Sequence, residues 1–181
     1  KRFLVLPAAK MLWLLIALAL VVAPHLTRLP LWITGVCCAL GVWRYLSTHL
    51  HLRSPGVVTR LALVAAGVAG VGLDYGTVLG RDAGTALLVL MLALKLLELN
   101  SHRDVMLFVF LGYFLVITNF LYTQSVFMAA YMFVVVLVLT GALVAVNHPG
   151  RQAMPRQRLR QAGVLMAQAL PFALVLFLLF P

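Results

Sequence analysis

The chain has 181 residues, of which 64% are hydrophobic and only 10% are charged. Ordinary soluble domains carry about 25% charged residues, so this composition excludes a soluble globular domain and indicates a polytopic membrane protein. The formal net charge is +10 at pH 7, which in a soluble protein would suggest a nucleic-acid or acidic partner. The distribution of the charges, described below, accounts for them instead, and we expect the lipid bilayer as partner and no nucleic acid.

The first apolar segment follows the basic residues Lys1 and Arg2, as the core of a signal peptide does. It has no small-residue cleavage site after its apolar core, and further apolar segments follow, so we interpret it as a retained first helix. Because the first residue is not Met, we expect the native start to lie upstream. Pro181 stands directly after an apolar run, where we expect a boundary with following sequence.

Seven apolar segments, separated by polar or Pro- and Gly-containing turns, predict an all-α bundle of about seven transmembrane helices in a single domain, residues 1–181. The predicted spans are 8–23, 31–46, 60–79, 83–99, 104–121, 126–146 and 161–180. We expect Pro171 to kink the last helix, because a proline cannot donate a backbone hydrogen bond. The segment 147–160, with its prolines and arginines, is predicted to be a solvated loop.

Four glycines, Gly72, Gly76, Gly80 and Gly84, recur at every fourth residue. On one continuous helix they would form a smooth ridge against which a neighbouring backbone packs closely. The alternative is that the later glycines belong to the turn at 80–82. The sequence pattern leaves both interpretations open.

The basic residues are divided unequally between the two ends of the predicted spans. Twelve fall on one side: Lys1, Arg2, Lys10, Arg44, Arg53, Arg60, Lys95, Arg103, Arg151, Arg156, Arg158 and Arg160. The other side receives only Arg28 and Arg81. Since Lys and Arg are retained on the cytoplasmic side of a membrane, this asymmetry predicts a cytoplasmic N-terminus and a periplasmic C-terminus.

Charged residues surround the turn between the fourth and fifth spans. Lys95 and Glu98 are three residues apart and so share a helix face. A charge within a span is first a functional hypothesis, but both residues lie within about two turns of the cytoplasmic end, at 1.5 Å of rise per residue. We favour a structural ion pair, extended by Arg103 and Asp104, that holds this hinge.

Asp74 is the other candidate site residue, about 20 Å into the third span at 1.5 Å per residue from Arg60. One interpretation is a buried carboxylate that lines a cavity. The other, which we favour, is that the helix ends early and leaves Asp74 in the outer headgroup layer or capping a turn.

No catalytic residue, cofactor site or metal site is predicted. The five histidines fall at predicted loops or helix ends, and His49 and His51 are two residues apart, which does not place them on one helix face. Cys37 and Cys38 are adjacent within an apolar run, where we interpret them as small buried packing residues. No serine or cysteine has a plausible base at a recognisable spacing.

Several short motifs give the chain a family resemblance. They are Leu94-Lys95-Leu96-Leu97-Glu98, Arg103-Asp104, Leu111-Gly112-Tyr113-Phe114-Leu115 and Gln124-Ser125, with Pro24-His25, Trp43-Arg44, Ala169-Leu170-Pro171 and Leu179-Phe180-Pro181 as further points of likeness. With these motifs the chain resembles the N-terminal membrane domain of bacterial TgpA-type, transglutaminase-like inner-membrane proteins. The likeness covers essentially the whole chain.

The resemblance implies a multi-pass location in the bacterial inner membrane and a parent protein that continues past Pro181. There it would form a periplasmic transglutaminase-like domain with a papain-like Cys-His-Asp triad, followed by a last transmembrane helix. None of those catalytic residues maps onto this chain, so the expected role is to anchor and position that domain, the chain's second partner. The alternatives are a stand-alone transporter or lipid-handling protein, with Asp74 and the glycines lining its path, and an assembly subunit without chemistry.

Overall fold

The computed structural model describes residues 8–50, 55–99, 101–147 and 155–179. Its regular elements there are all helical, which confirms the predicted all-α class. The α-helices are α1 (Ala8–Val22), α2 (Leu31–His49), α3 (Val57–Tyr75), α4 (Arg81–Leu97), α5 (His102–Asn119), α6 (Val126–Asn147) and α7 (Pro155–Leu179). A 3₁₀ turn, Ala23–His25, continues α1.

Four of these helices, α3, α5, α6 and α7, are long and apolar enough to cross a membrane. Met11–His25 is apolar but shorter, and α4 has 17 residues with charged side chains near both of its ends. The chain therefore has the features of a multi-pass membrane protein. The number of seven crossings and the orientation of the termini stay predictions.

The helix at the centre of the bundle is α4. It packs against α2, α3 and α5, with a smaller contact to α1, and ten of its 17 residues are buried. One side of it, Leu90, Leu94 and Leu97, packs with Val36 and Leu40 of α2. Because α4 is apolar around most of its circumference, the other helices can bury it, and its polar residues remain at the two ends.

Tyrosine hydroxyls connect α6 to two of its neighbours inside the apolar bundle. The Tyr131 hydroxyl donates to the carbonyl of Leu20 on α1 over 2.8 Å. On the α5 side, the Tyr113 and Thr140 hydroxyl oxygens are 2.7 Å apart. A hydroxyl left without a partner in an apolar interior costs free energy, so these bonds favour one relative placement of α1, α5 and α6.

The third helix ends earlier than the predicted 79, and the glycine ridge is wrong. α3 stops at Tyr75, and Gly76 follows with φ of +66° as its left-handed C-cap. Gly80 also has a positive φ, +130°, directly before α4. Glycine adopts such angles without steric cost and so ends helices. Gly76 and Gly80 therefore belong to the turn between α3 and α4 and not to a continuous helical ridge, in agreement with the alternative interpretation.

The last helix begins earlier than the predicted 161. α7 starts at Pro155, so the part of the predicted loop from 155 to 160 is its first turns, and residues 148–154 lie outside the described residues. Proline is favoured at the first helical position because its φ is already helical and its missing N–H has no partner there anyway. Pro171 lies inside α7, which continues to Leu179.

The face of α3 that packs on α4 contains Gly67 and Val71, not the predicted ridge. Val71 is fully buried, and a Cβ placed on Gly67 would overlap the side chain of Leu90, lying 3.3 Å from its Cγ. A Cβ on Gly72 would meet only Val78, at an ordinary 3.5 Å. Close approach of α3 to α4 therefore depends on Gly67.

We predict that Gly67→Leu lowers the free energy of unfolding in detergent by about 1–3 kcal/mol, because the added side chain overfills the interface with α4. Gly72→Leu, on the same helix, is the matched control and should change it by less than about 1 kcal/mol. Equal losses in the two variants would show that α3 does not approach α4 through Gly67.

Candidate functional site

The charged residues predicted at the hinge form a connected network between three helices. Lys95 Nζ lies 2.8 Å from Glu98 Oε2 and 3.1 Å from Asp104 Oδ1. Arg60 Nη1 of α3 lies 3.2 Å from Glu98 Oε1. The side chains of Lys95 and Asp104 are only 17% and 16% exposed. We call Arg60, Lys95, Glu98 and Asp104 the hinge network.

The local sequence explains why Asp104 can reach Lys95. Ser101 is the N-cap of α5, and its hydroxyl accepts the backbone N–H of Asp104 and donates to Asp104 Oδ2 at 2.6 Å. A carboxylate in the first turn is also favoured by the helix dipole. On α4, the N–H of Glu98 caps the helix by donating to the Lys95 carbonyl at 3.0 Å. Both carboxylates are therefore held beside Lys95.

Arg44 brings α2 to the same end of the bundle. Its Nη2 donates to the carbonyl of Leu99, just after α4, over 2.9 Å. The carbonyl of Arg44 in turn accepts hydrogen bonds from the Ser47 and Thr48 hydroxyls. Ends of α2, α3, α4 and α5 thus meet in one polar layer.

The structure places the predicted hinge residues as follows. Lys95, Glu98 and Asp104 come together, as predicted. Arg103 is exposed and makes none of the ion pairs within 4.0 Å found among the described residues. Arg60 of α3 occupies the position in the network that was predicted for Arg103. No local sequence pattern predicts the contact of Arg60 with Glu98, because the two residues belong to different helices.

Asp74 is exposed in the last turn of α3. Its Oδ2 accepts a hydrogen bond from Trp32 Nε1 of α2 at 3.1 Å. This placement follows from the early end of α3 and does not match a buried carboxylate lining a cavity.

A second polar layer, at the opposite end of the bundle, has Tyr122 at its centre. The guanidinium carbons of Arg28 and Arg81 lie 4.7 Å and 4.5 Å from the centre of its ring, within cation–π range. The Tyr122 hydroxyl lies 3.1 Å from the Arg81 carbonyl and 3.0 Å from Thr85 Oγ1. Burial raises the pKa of this hydroxyl, and the hydrogen bond to Thr85 opposes that rise.

Arg28 joins this layer to α5. Its Nη1 donates to Asn119 Oδ1 at 3.2 Å and its Nη2 to Thr123 Oγ1 at 2.8 Å. Arg28 precedes α2, Arg81 is the first residue of α4 and Tyr122 follows α5, so these contacts join three separate parts of the chain. We call Arg28, Arg81, Asn119, Tyr122 and Thr123 the outer cluster. Sequence reasoning missed it because its members are far apart along the chain.

His25 lies beneath the outer cluster and is only 1% exposed. Its ring meets the Tyr122 ring edge-on, with centroids 6.4 Å apart. The Leu115 backbone lies near the ring, but neither ring nitrogen has a partner in hydrogen-bond geometry among the described residues. A cavity of about 10 Å³, lined in part by His25, Arg28 and Asp82, adjoins it. That volume suits one water molecule.

The contacts that make up the two layers are ion pairs, cation–π contacts and hydrogen bonds between helix ends. Among the described residues, no three His, Cys, Asp or Glu side chains converge as metal ligands. Cys37 on α2 is buried, as predicted, whereas Cys38 is exposed, so its predicted buried position is wrong. Adjacent helical residues point about 100° apart, so only one of the two faces the bundle.

We predict that Lys95→Met and Glu98→Gln each lower the free energy of unfolding by about 1–2 kcal/mol, because each leaves a charge poorly compensated in a partly desolvated site. The double variant should recover part of the summed loss. Unfolding by SDS in mixed micelles measures all three values.

The matched control is the pair Arg81 and Asp82, which is 3.6 Å apart with side chains 56% and 58% exposed. Its coupling energy, from Arg81→Met and Asp82→Asn, should be below about 0.5 kcal/mol. Strictly additive losses at Lys95 and Glu98 would show that their contact does not stabilise the hinge.

Comparison with known proteins identifies the family. The profile of the TgpA N-terminal domain matches residues 13–181. A curated relative, a protein-glutamine gamma-glutamyltransferase of Pseudomonas aeruginosa, is 38% identical over 176 residues, which is 97% of this chain. The chain spans about a quarter, 26%, of that relative's length. No solved structure gives a significant match. The chain therefore belongs to the TgpA N-terminal domain family.

Proposed function

We propose that this chain anchors and positions, in the bacterial inner membrane, a transglutaminase-like domain that follows residue 181 on the periplasmic side. The observation that carries the proposal is the 38% identity to one quarter of a protein-glutamine gamma-glutamyltransferase. We expect the transferase activity of the parent protein to lie outside this chain, because the resemblance maps none of the catalytic triad onto it. The parent of this chain would then be a cysteine hydrolase or protein-glutamine acyltransferase.

The arrangement of the bundle supports a positioning role. A domain is positioned only if its anchor is rigid, and both polar layers tie helix ends together, through Lys95 in one and Tyr122 in the other. The charge asymmetry supports the outer cluster as the periplasmic layer, since Arg28 and Arg81 are the basic residues on that side. A span that begins at the cytoplasmic end of α7 delivers the following sequence to the periplasm.

The alternative of a transporter or lipid-handling protein gains no support from the described residues. Asp74, its predicted path residue, is exposed and bonded to Trp32. The predicted glycine path is interrupted at Gly76, which ends α3. Between the two polar layers, the buried face of α4 is lined by apolar side chains such as Val89, Leu92 and Ala93.

The test places a specific protease site directly after Pro181 in the full-length protein. We expect protease added to intact spheroplasts to cleave it, because the following domain is periplasmic, while inverted vesicles protect the site. We also expect cleavage to leave γ-glutamyl transfer from a soluble glutamine substrate to an amine, with release of ammonia, unchanged. Transfer from a membrane-bound glutamine substrate should fall, because the anchor no longer positions the domain.

Two outcomes would contradict the proposal. The first is cleavage only in inverted vesicles, which would place the site in the cytoplasm. The second is a native polypeptide whose intact mass is close to the 19.8 kDa of this chain, since no following domain would then exist.

A further inference from the structure

The second half of α7 lies away from the rest of the bundle. α7 makes its extensive contact with α6, through a face that includes the buried Ala162 and the half-buried Met166. From residue 167 to residue 179, every described side chain of α7 is exposed. Since Arg156–Leu176 is long and apolar enough to cross a membrane, this half of the helix faces lipid, a later segment of the same protein or a second polypeptide.

Two polar groups lie in this exposed half. Gln168 carries a side-chain amide near the middle of α7 and is exposed. Pro171 lacks an N–H, so the carbonyl of Ala167 loses the donor that a helix supplies four residues later. Hydrocarbon offers neither group a hydrogen bond, so both favour a protein partner over lipid.

The glutamines of α7 share one face. At about 100° per residue, Gln157, Gln161 and Gln168 lie within about 40° of one another and about 150° from the centre of the face that contacts α6. All three are exposed. Gln161 and Gln168 are seven residues apart, the repeat with which two helices pack along a left-handed seam. We call Gln157, Gln161 and Gln168 the polar stripe, and its position suits the pairing of α7 with another helix.

The chemistry of the stripe indicates which helix covers it. Copies of a membrane protein insert in one orientation, so two α7 helices related by a twofold axis are parallel, and each seam residue meets its own copy. A side-chain amide suits that position because it both donates and accepts hydrogen bonds. Arg158 and Arg160 lie about 80° to either side of the stripe, so like charges do not meet on the axis.

We propose that a second copy of this chain covers α7, in a parallel homodimer in which Gln168 pairs with Gln168 of the second copy. Gln161 adds a second amide pair along the same seam. A polar residue at a seam position also fixes the register of the two helices. This interface is independent of the proposed periplasmic domain and goes beyond the anchoring function.

The first test measures dimerisation of the chain in liposomes by energy transfer between labelled copies, over a range of protein-to-lipid ratios. Gln168→Leu should weaken the dimer by about 5- to 30-fold, the range expected for interhelical hydrogen bonds in membranes, and Gln168→Asn, which keeps the amide, should weaken it less. Leu170→Ala, on the side of α7 away from the stripe and 58% exposed, is the control and should leave the dissociation constant unchanged.

The second test is disulfide cross-linking in a background with Cys37 and Cys38 replaced by alanine. Val175 follows Gln168 by seven residues and so lies on the same side of α7, while Leu174 lies about 100° around the helix from Val175. Both side chains are 60% exposed. We expect Val175→Cys to form cross-linked dimers and Leu174→Cys not to. Equal cross-linking at both positions, a monomer at all ratios, or an undiminished Gln168→Leu dimer would overturn the proposal. Cross-linking of Val175→Cys to another segment of the same full-length chain would overturn it too.

Discussion

The ammonium group of Lys95 is the point on which the arrangement of the central helices depends. It is 17% exposed at the end of an otherwise apolar helix, and it contacts carboxylates on both sides of the turn from α4 to α5. An ammonium in such a site is tolerated only with opposite charges close by. Glu98 and Asp104 must both lie close to Lys95, and this constrains the angle between α4 and α5. Glu98 also binds Arg60, so α3 is held at the same end of the bundle.

The opposite end of the bundle meets the same constraint with different chemistry. There the cations are Arg28 and Arg81, and both lie against the ring of Tyr122. An aromatic ring carries an apolar body and a polar hydroxyl, which suits the boundary between hydrocarbon and water. The bundle is thus closed at one end by ion pairs and at the other by cation–π contacts and hydrogen bonds, with apolar packing around α4 between them.

The features that sequence could predict are those set by local pattern. Apolar runs predict the helices. The spacing of Lys95 and Glu98 predicts their contact, because residues three apart on a helix are neighbours on one face. The contacts of Arg60 with Glu98 and of Arg28 with Asn119 join residues far apart in the chain, and no local pattern encodes them. His25 was expected near a loop, yet it is 1% exposed, since burial there depends on how Tyr122 folds over it. The predicted C-terminus of α3 and N-terminus of α7 are wrong. A glycine repeat is compatible with a helix or a turn, and a proline with a loop or the first turn of a helix.

We propose that the hinge network and the outer cluster lie at opposite faces of the inner membrane, with the hinge network on the cytoplasmic side. Single cysteines at two exposed positions test it most directly: Arg103→Cys beside the hinge network and Leu121→Cys beside the outer cluster, with Cys37 and Cys38 replaced by alanine. A membrane-impermeant maleimide should label position 121 in intact spheroplasts and position 103 only in inverted vesicles. Labelling of both positions from the same side would contradict the placement of the two polar layers at opposite faces of the membrane.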